Sequence, residues 1–178
     1  TSRSISGSHD KSNDMFTEYA GSDRSKQINS RLRRGEELSG PMQEVVQSLD
    51  AYISSYKTKV DSLVWRAVSK SVVDGLAVGD VFEDAGYVST SVKRTIIGEY
   101  LDYAPESSVV MEIFTPRGTQ VGPFLRADRK SDPYSEGEVL FPRGSRFRYE
   151  GRGDTSSFVS PSRRAVAAEV YRFSLVPR

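Results

Sequence analysis

Ser135-Glu136-Gly137-Glu138-Val139-Leu140-Phe141-Pro142-Arg143-Gly144-Ser145-Arg146-Phe147 sets two carboxylates either side of a glycine and runs at once into an apolar strand start. Along an extended segment side chains alternate in face, so Glu136 and Glu138 are expected to point the same way. Their Cα atoms would lie about 6.5 Å apart at the usual rise per residue. Such a pair can grip one substrate from two sides. Gly137, lacking a Cβ, lets a ligand or a second backbone approach closely. Taken alone, the tripeptide reads first as a polar loop entering a strand. Two stretches upstream shift that balance.

Leu63-Val64-Trp65-Arg66-Ala67-Val68 reads as a buried strand with one arginine among apolar residues, and Tyr87-Val88-Ser89-Thr90-Ser91-Val92 as a strand whose middle is wholly hydroxylic. The order is strand arginine, then aromatic-x-Ser-Thr-Ser, then Glu-x-Glu with a Leu-x-Pro-Arg-Gly-like continuation. From about Tyr19 to Phe173 this order resembles the mono-ADP-ribosyltransferases of the Arg–Ser–Glu class, in the Glu-x-Glu branch that includes the actin-modifying binary toxins and related bacterial effectors.

Composition narrows the chemistry independently. The chain has 178 residues, 37% hydrophobic and 28% charged, which fits one soluble domain with a sizeable core. A formal net charge of +1 gives no bulk reason to expect nucleic acid or an anionic membrane. Cysteine is absent, and the single histidine, His9, stands in a polar leader. A disulfide framework, a thiolate metal site and a serine–histidine triad are all disfavoured. Carboxylates, arginines and hydroxyls must carry whatever reaction occurs, and no metal is expected. No run approaches the length of a membrane-spanning helix, and no signal-peptide core follows the start.

Residues 1–14 read as a disordered leader or the remnant of a longer chain. Residues 175–178, Leu-Val-Pro-Arg, read as what thrombin leaves after cutting an expression tag and are set outside the fold. Between them, residues 15–174 are expected to form the single catalytic domain that the resemblance implies. A helical pattern over Met15–Arg34 ends at Gly35. Ser39-Gly40-Pro41 opens a second helix, with Met42, Val45, Val46, Leu49 and Ile53 on one buried stripe. Strands are expected over 63–68, 87–92 and 109–114, with a connection over 71–84 and a loop or short helix over 93–108. A second loop spans 120–135. One strand interrupted at Pro142 and Gly144, by a bulge or because it lies at an edge, is expected over 139–149, and a last strand over 165–173. Helices first and strands afterwards favour α+β. The resemblance adds the fold: two packed, mainly antiparallel sheets, with the N-terminal helices flanking a cleft for NAD.

The resemblance also implies the reaction and the roles. ADP-ribose passes from NAD to a protein side chain, and nicotinamide leaves as a neutral molecule, so no general acid is needed. The ribose gains oxocarbenium-like charge, as in glycoside hydrolysis, and Glu138 is the carboxylate that stabilises it. Glu136 engages the acceptor, orienting a guanidinium and taking its proton. Relatives that modify other acceptors often carry glutamine there, so glutamate favours arginine. Arg66 offers a planar fork to the pyrophosphate. Ser89 positions Glu138, and Thr90 and Ser91 shape the strand beside nicotinamide. Tyr19 and Asn29 approach the adenosine half, Arg94 reaches a phosphate, and Tyr134 meets the protein substrate. The implied partner is a target protein bearing the acceptor arginine, with room for a separate delivery, translocation or immunity partner. Neither nucleic acid nor membrane is expected as a partner. The implied setting is a bacterial toxin or effector, secreted or delivered and acting in the cytosol of a target cell. Two alternatives stay open: NAD hydrolysis with water as acceptor, and transfer to another side chain or to nucleic acid.

Overall fold

The structure, a computed structural model, describes residues 23–103, 105–123, 137–160 and 162–178. Helix α1 (Arg24–Arg34) buries Ile28 and stops where Gly35 turns left-handed at φ 67°. Its basic last turn, Arg31, Arg33 and Arg34, suits the negative end of the helix dipole. Helix α2 (Gly40–Ser54) starts with the Ser39 hydroxyl accepting the Met42 N–H at 3.4 Å and proline in the first turn. It buries Val45, Val46, Leu49 and Ile53, the stripe expected from spacing, together with Tyr52.

Strands β1 (Ser62–Ser69), β2 (Val81–Asp84) and β3 (Val88–Ser91) lead to helix α3 (Arg94–Tyr103). Then come β4 (Ser108–Thr115), β5 (Gly122–Pro123), β6 (Glu138–Phe141), β7 (Ser145–Arg152), β8 (Ser156–Val159), β9 (Ala165–Ala168) and β10 (Val170–Leu175). Eight strands form one sheet in the order β2-β7-β10-β4-β1-β3-β6-β5, and β8 pairs with β9 apart from it. All pairings are antiparallel except β10 with β4. Between β1 and β3 the ladder narrows to one register pair, Trp65 with Ser91. The sheet therefore has two limbs, and these are the two sheets of the expected α+β architecture.

Both limbs share one core. Val64, Met111, Tyr149 and Phe173 from the first pack with Val88 and Phe141 from the second. The Phe141 and Phe147 rings meet edge to face at 5.6 Å across the limbs. A second cluster seats α1 and α2 on Tyr87 and Leu140, and a third seats α3 and the β8–β9 hairpin on Trp65, Val110 and Val170.

Several expectations change. The segment 139–149 is not one interrupted strand. Pro142 has no N–H for a ladder and Gly144 takes φ 75°, so the chain turns there and delivers β6 and β7 to different limbs. The strand expected over 165–173 divides into β9 and β10, which belong to different sheets. The connection 71–84 contains β2, and 93–108 contains a helix of ten residues. Leu175, expected outside the fold, closes β10 opposite Phe147 and packs on the core, while Val176 N–H donates to the Arg146 carbonyl at 2.9 Å.

One glycine inside α3 fixes the third layer. A Cβ on Gly98 would fall 2.8 Å from the Ser160 nitrogen and 2.9 Å from the Val159 carbonyl carbon, both backbone atoms that cannot swing aside. In an open helix Gly→Ala is favourable by up to about 1 kcal/mol. Here Gly98→Ala is expected to destabilise by about 1–3 kcal/mol through overpacking. Denaturant unfolding checks this, and a stabilised variant would contradict the tight seating of α3.

Candidate active site

The hydroxylic strand β3 runs beside β6, with Ser89 opposite Leu140 and Ser91 opposite Glu138. The Ser89 hydroxyl donates to Glu138 Oε1 at 2.7 Å, so the contact crosses the ladder diagonally instead of joining a direct pair. Glu138 opens β6 and is only 7% exposed. A buried carboxylate needs hydrogen-bond donors, and Ser89 supplies one. On the first limb, Arg66 Nη1 donates to the Ser89 carbonyl at 2.9 Å. Ser89 thus receives the guanidinium on its backbone and offers its hydroxyl to the carboxylate. Arg66, Ser89 and Glu138 come together through this one residue.

Thr90 and Ser91 are buried beside them. Thr90 Oγ1 donates to the Val139 carbonyl at 2.7 Å and locks β3 to β6. Ser91 Oγ accepts the Lys93 N–H at 3.0 Å and bends the chain towards α3. A cavity of about 240 Å³ opens here, lined by Trp65, Arg66, the three hydroxylic residues and, from α3, Ile96, Ile97 and Tyr100. Glu138 is one hydrogen bond from that lining, through Ser89. A guanidinium, hydroxylic side chains, a nearby carboxylate and aromatic walls form a lining suited to a ligand with phosphates, sugar hydroxyls and flat rings.

Gly137 bears on two expectations. A Cβ there would lie 3.1 Å from both Lys93 Cγ and Val92 Cγ2, so what closes on this face of the glycine is a pair of side chains and not a second backbone. Its φ of 51° is left-handed, however, and β6 begins only at Glu138. The same-face argument for Glu136 and Glu138 assumed an unbroken extended segment, and it does not carry through this residue. Glu136 itself lies outside the described residues, as do Tyr134 and Tyr19.

The other expected residues sit around the cavity instead of in its lining. Asn29 Oδ1 accepts the Tyr87 N–H at 2.8 Å, and Arg33 grips Asp84 at 2.8 and 3.2 Å, which fastens α1 to the turn entering β3. Arg94, expected at a phosphate, stacks 4.3 Å from the Phe158 ring centroid and 5.5 Å from that of Trp65. It also donates to the Ser157 carbonyl at 3.3 Å, and it is not among the residues lining the cavity. From the first turn of α3 it reaches over β8, where aromatic faces hold a cation well. Trp65, Ala67, Ile96, Ile97 and Tyr100 are the lining residues that motif reading passed over. For the three on α3, the i,i+4 spacing of Ile97 and Leu101 was the local signal.

Comparison with known proteins follows the same line. A family model described as ADP-ribosyltransferase exoenzyme matches residues 4–171. Over 108 residues the chain is 30% identical to the NAD(+)–arginine ADP-ribosyltransferase EFV of Enterococcus faecalis, covering 60% of this chain and 21% of that protein. The chain thus spans about a fifth of that relative's length. Among solved structures, C3stau2 from S. aureus with NAD superposes with a TM-score of 0.69 at 19% identity, over 95% of this chain and 88% of that one. Plx2a, an ADP-ribosyltransferase toxin from Paenibacillus larvae, gives 0.68 at 17% identity, over 94% and 86%. These two likenesses show a shared fold.

Proposed function

The chain belongs to the ADP-ribosyltransferase exoenzyme family, and on that premise we propose that it transfers ADP-ribose from NAD to an arginine side chain of a target protein, with release of nicotinamide. The observation that carries this reading is the Arg66–Ser89–Glu138 connection, with 2.9 Å from guanidinium to carbonyl and 2.7 Å from hydroxyl to carboxylate.

The bond to be broken joins the anomeric carbon of ribose to a cationic ring nitrogen. As it stretches, positive charge moves from the ring onto the sugar, and the leaving group departs neutral. A fixed, largely buried carboxylate beside the sugar stabilises that charge more in the transition state than in the ground state. Glu138 has this character. It is preorganised by Ser89, so little reorientation is needed as charge develops. Arg66 is the cation for the pyrophosphate, and Trp65 with Tyr100 gives flat surfaces for the rings.

Arginine as acceptor is supported by glutamate at position 136 and by the relative named as an arginine ADP-ribosyltransferase. A protonated guanidinium is a poor nucleophile, so a carboxylate that orients it and removes a proton is required. The target is a protein of another cell, reached by secretion or delivery, a reading that the toxin among the structural neighbours supports. No helix among the described residues is long and apolar enough to cross a membrane.

Incubation with NAD and a host lysate, followed by mass spectrometry, tests the acceptor. ADP-ribose on arginine is expected; modification confined to other residues contradicts it. Ser89→Ala removes one hydrogen bond to a buried charge and is expected to slow nicotinamide release about 10- to 100-fold. An unchanged rate would separate the hydroxyl from the chemistry.

A further inference from the structure

We propose that Asp50 of α2 is a positioning residue for the Ser89–Glu138 pair, because it clamps together the ends of the two strands that carry them. The inference rests on the reading of the site given above. Asp50 Oδ1 accepts the Tyr87 hydroxyl at 2.5 Å and Arg143 Nε at 3.2 Å, and Oδ2 accepts Arg143 Nη2 at 2.5 Å. Tyr87 precedes Ser89 by two residues, and Arg143 follows Glu138 by five. One carboxylate therefore holds the entry to β3 and the exit from β6.

Neither partner is loose. Tyr87 is 1% exposed, its N–H is taken by Asn29, and its carbonyl accepts from Arg33 at 3.3 Å. Arg143 meets the Asp50 carboxylate through both Nε and Nη2, so its guanidinium is held at two points.

The clamp matters because the contact it serves is diagonal. β3 and β6 pair over four positions only, Val88 with Phe141 through Ser91 with Glu138. When such a ladder shears or twists, direct pairs change little, while one diagonal lengthens and the other shortens. The flanks offer weak restraint: β1 meets β3 at one register pair, and β5 beside β6 is two residues long. Thr90 ties the middle of the ladder to Val139, and at the Glu138 end the Val92 N–H donates to the Gly137 carbonyl at 3.2 Å. At the opposite end, by Val88 and Phe141, Asp50 with Tyr87 and Arg143 is the restraint. A surface ion pair of purely structural value would lower stability without touching turnover.

The test uses the full chain and the rate of nicotinamide release from NAD, normalised to folded protein. Asp50→Ala is expected to lower kcat about 10-fold with KM for NAD within about twofold, the mark of a misplaced group in a site that still binds. Asp50→Glu, which keeps the charge, should recover part of that loss. The double variant Asp50→Ala/Ser89→Ala should be no more than about twofold slower than Ser89→Ala alone, since the geometry it disturbs is already gone. Additive losses, or a lower Tm with unchanged kcat, overturn the proposal. Should Asp50→Ala fail to fold, Tyr87→Phe removes a single hydroxyl and is expected to show the same split; an unchanged kcat there counts against the clamp. If wild-type protein releases no nicotinamide, the reading of the reaction is what fails. The clamp is then decided by amide hydrogen exchange. Faster exchange at 88–91 and 138–141 in Tyr87→Phe, with β7 and β10 unchanged, supports it, and unaltered exchange overturns it.

Discussion

Glu138→Gln is expected to slow nicotinamide release from NAD about 10²–10³-fold, the usual cost of removing one preorganised charge that meets the developing transition state. Glutamine keeps the shape and can still accept the Ser89 hydroxyl, so the β3–β6 ladder and the fold survive. What is lost is the negative charge. Because that charge acts chiefly on the transition state, kcat should carry the loss and KM for NAD should move little, within about threefold. A fall in affinity with unchanged kcat would make Glu138 a ligand-binding group only. Stability is expected to hold or rise, since an amide is cheaper to bury than a carboxylate at 7% exposure.

Glu136→Gln should act on the other half of the reaction. If this carboxylate orients and deprotonates the acceptor guanidinium, its loss slows transfer to arginine by about 10²-fold or more, in the range of a missing general base. NAD hydrolysis, which of the two glutamates needs only Glu138, should stay within about threefold. The ratio of modified arginine to released nicotinamide measures the separation directly. A chain that is first of all an NAD hydrolase would show little transfer before the substitution and no change in nicotinamide release after it. Equal losses in both activities would place Glu136 in bond cleavage alongside Glu138.

The groups proposed to do the chemistry were legible because their residue types are unusual in their settings. An arginine inside an apolar strand, three consecutive hydroxyls and a glutamate at a strand start each depart from what the core alone would select. Helix α2 was legible for the opposite reason, as its apolar spacing is the ordinary pattern of a helix laid on a core. What stayed hidden depends on neighbours distant in sequence. Gly137 takes a left-handed turn where the end of β3 crowds it, and no alternation rule detects that. The turn at Pro142 and Gly144 looked like a bulge or an edge because both continuations are strand-like; only the sheet order shows that they serve different limbs. The segment holding α3 read as a loop or a short helix, and nothing in its spacing showed that Gly98 lets β8 lie against the helix backbone. Arg94 had the charge for a phosphate, and its stacking on the faces of Phe158 and Trp65 was not foreseen.

The central claim is spatial: one dinucleotide engages Arg66, Ser89 and Glu138 together. A crystal structure with an NAD analogue whose nicotinamide–ribose bond cannot be cleaved tests this directly. The expected result has the ribose next to nicotinamide within hydrogen-bond reach of Glu138, the pyrophosphate at Arg66 and the nicotinamide ring beside the Ser89–Ser91 strand. A dinucleotide bound elsewhere on the molecule, with the Ser89–Glu138 contact intact and unvisited, would contradict the account.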